Sequence, residues 1–172
     1  MQTVRAEFPL DPEFDLNGTW QRLRDLSRAH LYVPGLTAVS FVGAQREGVG
    51  THRRVRIRGI LTMDETVTEW REGAGMTLRL NRGDKGPLPP LREHFFDYGL
   101  SERDGRVWLV NRMRYEVGLG PLGTLLDRLL LHREIGRQLR DITLAQKIFY
   151  ETGRKVTPAM LRAAKSRLSA RE

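Results

Sequence analysis

The sequence contains no cysteine. That excludes disulfide bonds, thiolate metal sites and cysteine nucleophiles. It also lacks any long hydrophobic run. The densest apolar cluster, LLDRLLL at residues 125–131, already contains Asp127 and Arg128. A membrane-spanning helix needs ~20 apolar residues, and nothing in the chain approaches that. The opening stretch, MQTVRAEFPLDPEFD, has no secretory h-region. The expectation is a soluble, cytoplasmic protein. There are no internal repeats and no low-complexity segments. The four histidines, His30, His52, His94 and His132, show no ligand spacing, so no metal is expected. Gly48 and Gly50 are not a phosphate loop, because no Lys-Ser/Thr follows and strand patterns flank them on both sides. No cofactor is expected.

What remains is an ordinary globular composition. The chain has 172 residues, of which 29% are charged and 40% hydrophobic. That length suits one domain with a real core. The net charge is +8, but it is uneven. Residues 152–172 alone carry +5, through Arg154, Lys155, Arg162, Lys165, Arg167 and Arg171 against Glu172. Residues 1–151 are close to balanced. The chain therefore reads as a domain at 1–151 and a basic extension at 152–172, partly helical.

The periodicities give an order of elements. Residues 2–8 read as an opening strand. Asp11 before Pro12 reads as a helix N-cap, with helix to about Ser27 and a stripe of Phe14, Leu16, Trp20, Leu23 and Leu26. A short element ends at Pro34–Gly35. Strand patterns follow at 37–43, 51–61, 62–70 and 76–80. In the second of these, Val55, Ile57 and Gly59 share one face, and Arg54, Arg56 and Arg58 the other, with Arg53 adjacent. Residues 82–93 form a long Gly/Pro-rich loop that suits a functional loop or a lid, or equally a plain surface loop.

Strands at 93–100 and 107–117 flank Asp104–Gly105, a hairpin signal. A two-residue turn there sets Leu100 against Leu109, Tyr98 against Asn111, Phe96 against Met113 and His94 against Tyr115. The opposite face pairs Asp97 with Arg112 and Phe95 with Arg114. A long helix at 121–151 follows, with Leu122, Leu125, Leu126, Leu129, Ile135, Leu139, Ile142, Ala145 and Phe149 at three and four spacing. Gly153 ends it. Thr157 before Pro158 caps a tail helix. A run of antiparallel strands with helices to one side is an α+β plan.

Several motifs carry a resemblance. WQRLRDL at 20–26 is similar to a "WxxLxD" pattern on a first helix. Val33-Pro34-Gly35 is similar to a "PG" turn before a second strand. GVGTHRRV at 48–55 resembles a "GxGtxrxv" hairpin, and Glu65 with Val67 an "Exv" strand. YEVGLGPLGTLLDRLL, from Tyr115, resembles the lead-in to a C-terminal helix. Their order resembles the START-like (SRPBCC) superfamily, within it the polyketide cyclase/dehydrase-like proteins, over residues 1–151. The resemblance implies a helix-grip fold, with a curved antiparallel sheet of about seven strands around a long C-terminal helix and two short helices after the first strand. It also implies a hydrophobic pocket between sheet and helix. It carries over no catalytic residue, since the superfamily holds cyclases, hydrolases and carriers of lipids and quinones.

On that plan the pocket falls to the inner hairpin face. His94, Tyr98, Asn111 and Tyr115 lie among Phe96, Leu100, Leu109 and Met113, with Leu125, Leu129 and Ile135 as the helix wall. Few polar groups among apolar ones is how small-molecule sites are built. The bland alternative is an ordinary core with tyrosine hydroxyls turned to water or backbone. His94 and Tyr98 are the acid/base candidates. The function this favours is binding, or transport, of a hydrophobic small molecule such as a lipid, quinone or polyketide-like aromatic. The alternative is an aromatase/cyclase or dehydratase in the same cavity. Nucleic acid is not an expected partner, because the body is near neutral. The basic tail offers peripheral contact with an anionic membrane, against the plainer reading that it docks on the body. Oligomeric state is left open.

Overall fold

A computed structural model describes residues 1–118, 120 and 130–170. Strand β1 (Gln2–Pro9) opens the chain and alternates in burial, with Val4, Ala6 and Phe8 inward. Helix α1 (Leu16–Leu23) follows, then a 3-10 helix at Leu26–Leu31. Strands β2 (Leu36–Val42), β3 (His52–Ile57), β4 (Leu61–Arg71), β5 (Gly75–Asn81), β6 (Leu91–Arg103) and β7 (Arg106–Val117) form one run. Helix α2 (His132–Thr152) and helix α3 (Pro158–Ser169) close the chain.

The seven strands make one antiparallel sheet in the order β1-β7-β6-β5-β4-β3-β2. The first strand therefore pairs with the last. Helix α2 packs over β1 and β7 on the inner face. Trp20, Leu23, Met76, Leu78, Phe96, Met113 and Leu139 form one core between them. A second core gathers Leu10, Tyr32, Val55, Leu109, Phe149 and Tyr150. This is the helix-grip architecture anticipated from the motifs.

Local chemistry sets the boundaries. The α1 N-cap is Asp15, not Asp11: its carboxylate accepts from the Gly18 amide at 2.8 Å. Asp11 instead opens a turn, and its amide donates to Glu151 at the end of α2, at 2.9 Å. The helix also stops at Leu23, short of Ser27, because Asp25 caps the following 3-10 helix. At the β6–β7 turn Asp104 and Gly105 both have positive φ (50° and 68°), as a type I′ turn requires. Arg103 then faces Arg106, and the anticipated register holds: His94 with Tyr115, Phe96 with Met113, Leu100 with Leu109.

One outer-face pairing differs. Asp97 is opposite Arg112 in register, yet it takes a bidentate ion pair from Arg114, at 2.8 and 2.9 Å. Strand twist brings diagonal neighbours within reach of a long side chain, and Thr77 holds the carboxylate from the other side at 2.9 Å. Arg114 also lies over the Phe95 ring, 5.1 Å from its centre.

Gly153, at φ 66°, ends α2, its amide bonded to the Phe149 carbonyl at 2.8 Å. Thr157 caps α3 through the Met160 amide. The connection is tied down by the Val156 amide on the Leu31 carbonyl, at 2.8 Å. Lys165 reaches Asp141 on α2 at 2.8 Å. No residue of α3 is fully buried.

Candidate ligand-binding interior

Hairpin β6–β7 supplies most of the candidate groups. Phe96, Leu109 and Met113 are buried, and Leu100 is half-buried against both cores. Ile135, on the first turn of α2, is half-buried against the main core. Leu125 and Leu129 lie outside the described residues. The four polar members are not drawn to one point. Each has its own surroundings.

Asn111 is fully buried. Its amide nitrogen donates to Thr143 at 3.1 Å and Gln146 at 2.7 Å, both on α2. Its carbonyl oxygen has no hydrogen-bond partner among the described residues. Gln146 passes the link on to the Tyr150 hydroxyl at 3.1 Å. Asn111 thus stitches helix to sheet. Tyr115 is buried, and its hydroxyl meets His132 Nδ1 at 3.1 Å. His132 itself is exposed.

Tyr98 belongs to a different cluster. Its hydroxyl accepts from Tyr32 at 3.5 Å, and its ring lies 4.4 Å from that of Phe96. Beside it is an ion pair in the interior. Arg53 is 2% exposed, and its Nε donates to Glu65 at 2.6 Å. A second donor of Arg53 reaches the Leu26 carbonyl. Burial acts most strongly against the Arg53 charge, but Glu65 together with Tyr98 and Tyr32 outweighs it and the guanidinium pKa is raised. Burial raises the phenol pKa of Tyr98, and carries that of Tyr32 well above its ordinary value.

Arg53, Glu65 and Tyr32 were not among the residues expected here. The signal existed. Arg53 has the same parity as inward Val55, and Glu65 the same parity as inward Met63 and Val67. Opposite charges at the apolar phase of two adjacent strands mark a buried pair, and the register joins them directly.

His94 is the exception among the four. It shares the parity of Phe96 and Tyr98, and neither ring nitrogen reaches solvent or a hydrogen-bond partner among the described residues. Burial alone lowers its pKa from 6.5 to about 4, so the ring is neutral at neutral pH. A recess of about 190 Å³ lies beside it, next to the register shift between Leu91 and Glu93. Arg79, Asn81, Pro87, Arg92 and Glu93 line that recess with His94, so it is a mostly polar opening that the 82–90 loop reaches through Pro87. Among the described residues no cluster suits a metal ion, and no helix is long and apolar enough to cross a membrane.

Solved structures share this architecture. A Thermobifida fusca protein is 20% identical, with a TM-score of 0.64 over 87% of this chain and 93% of that one. The protein Ara h 8.0201 is 14% identical, with a TM-score of 0.61 over 86% and 96%. DynU16, from the dynemicin biosynthetic locus, is 15% identical, with a TM-score of 0.62; the match covers 89% of this chain and 48% of that longer one. No protein-family model and no curated protein matches the sequence. The likenesses establish a helix-grip fold of the Ara h 8 kind.

Proposed function

We propose that the chain binds a hydrophobic small molecule with at least one polar group, in the interior between the sheet and α2. The observation that carries this reading is His94. A buried polar group left without a partner costs about 1–3 kcal/mol. Here both ring nitrogens are in that state, at the edge of an otherwise apolar wall. A hydroxyl or carbonyl of a ligand would satisfy one of them, and the Asn111 carbonyl offers a second point. The Arg53–Glu65–Tyr98 cluster adds a polar end deeper in the fold. Apolar burial, at about 25 cal/mol per Å², would drive binding. Lipids, quinones and polyketide-like aromatics combine such a body with such a group, and the START-like resemblance supports the same class.

Native mass spectrometry on protein purified without detergent tests this. The expected result is a stoichiometric adduct that solvent extraction identifies as one of these classes. His94→Phe should retain it at least ~5-fold less well, the equivalent of one lost hydrogen bond. Protein that stays empty when offered representatives of all three classes would sink the reading.

An aromatase/cyclase or dehydratase in the same interior is the second reading, and it rests on His94 more than on Tyr98, whose phenol pKa burial raises. An imidazole with a pKa of about 4 is a weak base at neutral pH. Binding therefore fits this site better than proton abstraction. A product that forms with wild-type protein and fails with His94→Gln, at unchanged binding, would reverse that preference.

A further inference from the structure

The outer face of the sheet, away from the proposed interior, holds a second concavity. It is a trench of about 560 Å³ across β7, β6 and β5. Small outward residues keep its floor low: Ala74, Thr77, Gly99 and Val110. Gly99 has no room to be larger, since a Cβ there would lie 2.7 Å from the Val110 carbonyl oxygen. The depression is therefore fixed in the backbone.

Its walls are mostly guanidinium. Arg5, Arg71, Arg103, Arg112 and Arg114 line it, against the carboxylates of Glu69 and Asp97. Four of the arginines have an acidic partner: Arg5 and Arg103 share Glu7, Arg71 has Glu69, and Arg114 has Asp97. Arg112 is exposed and has no ion pair or hydrogen bond among the described residues. The register sets it directly opposite Arg5. Like charges facing each other across two strands destabilise the pair. Glu7 offsets the charge of Arg5, but no carboxylate among the described residues pairs with Arg112, because Asp97, opposite it in register, is taken by a third guanidinium, Arg114, held in fixed geometry nearby.

We propose that this trench is a second binding site, for a small molecule bearing phosphate groups. Guanidinium forks match phosphate oxygens bidentately, and several of them converging select a multiply charged anion over a halide. Arg112 and Arg5 are its principal cations, and Arg114 a prepositioned third. The polar floor at Thr77 and the bare backbone at Gly99 let the anion approach closely. The shared chemistry is the phosphate chain, whether inorganic or carried by a nucleotide.

Thermal unfolding and amide NMR of the full chain test the proposal, with pyrophosphate, triphosphate and ATP as probes and sulfate at matched ionic strength as reference. Millimolar pyrophosphate should raise Tm by ~3–5 °C and shift the Gly99 and Thr77 amides. An Arg5→Ala/Arg112→Ala double variant should fold normally, since Glu7 keeps Arg103, and should lose both responses. A rise that survives in the double variant, or that sulfate equals, overturns the site. So does the absence of any rise. Equal responses to triphosphate and ATP would show that the phosphate chain carries recognition; a stronger one to ATP would show that the nucleoside adds to it. His94→Phe should leave every response intact, which separates this site from the interior one.

Discussion

His94 has a consequence for stability that can be worked out in sign. Its folded pKa is about 4 and its ordinary value is 6.5. Between these values the unfolded chain binds a proton that the folded chain refuses. Stability therefore rises with pH in that window. It is highest above pH 6.5 and falls as pH drops toward 4, by about 3 kcal/mol at full extent. Urea unfolding of wild type and His94→Phe from pH 7 to pH 4.5 checks this. The wild type should lose stability more steeply, and equal slopes would mean that the ring is solvated. The Arg53–Glu65 pair behaves differently, because its partners neutralise each other. Arg53→Met alone leaves a buried carboxylate and should cost about 3–5 kcal/mol, whereas Arg53→Met/Glu65→Leu should recover most of the loss. A double variant no more stable than the single one would show that the pair itself stabilises the fold.

At the scale of elements, caps and turns decide more than propensity does. Asp11 and Asp15 both precede helical sequence, and Asp11 even has proline behind it. Only Asp15 caps α1 through its side chain, while Asp11 uses its amide to reach Glu151. Asp15→Ala should therefore cost about 0.5–2 kcal/mol in chemical denaturation. Asp11→Ala should cost well under 1, since its carboxylate is exposed and stands 3.8 Å from Lys147. Equal losses would return the cap to Asp11. The contact to Glu151 spans 140 positions and leaves no local trace, so sequence alone could not tell the two apart. Hairpin β6–β7 is the opposite case. An Asp-Gly turn and a period of two fixed its register, and with it the inward face of every site candidate there. What parity could not supply is where each polar group ends. Asn111 turns to α2, Tyr115 to His132 and Tyr98 to Tyr32, partners brought in by other elements. The Arg53–Glu65 pair was legible in principle by the same parity. Three neighbouring outward arginines masked it.

Across the whole molecule the two sheet edges are unequal. Edge strand β1 buries Val4, Ala6 and Phe8 under α2. Edge strand β2 buries only Leu36 and carries a register shift between Leu36 and Ala38. Its neighbour β3 is half polar even inside, at Arg53. Local opening takes place where few apolar contacts must be broken. Amides of β1, β7 and β6 should therefore exchange only by global unfolding, and those pairing β2 with β3 at least ~100-fold faster. Native-state hydrogen exchange resolved by strand decides it, and uniform protection from β1 to β2 would refute the division. The same asymmetry constrains folding. The best-protected edge joins the first strand to the last, a contact of very long sequence separation that forms late. The stable half, β1-β7-β6 with α2, is then the half that carries His94, Asn111 and Tyr115. A ligand held there should add protection to amides that already open only globally, and so appear as a rise in overall stability rather than as local ordering of β2.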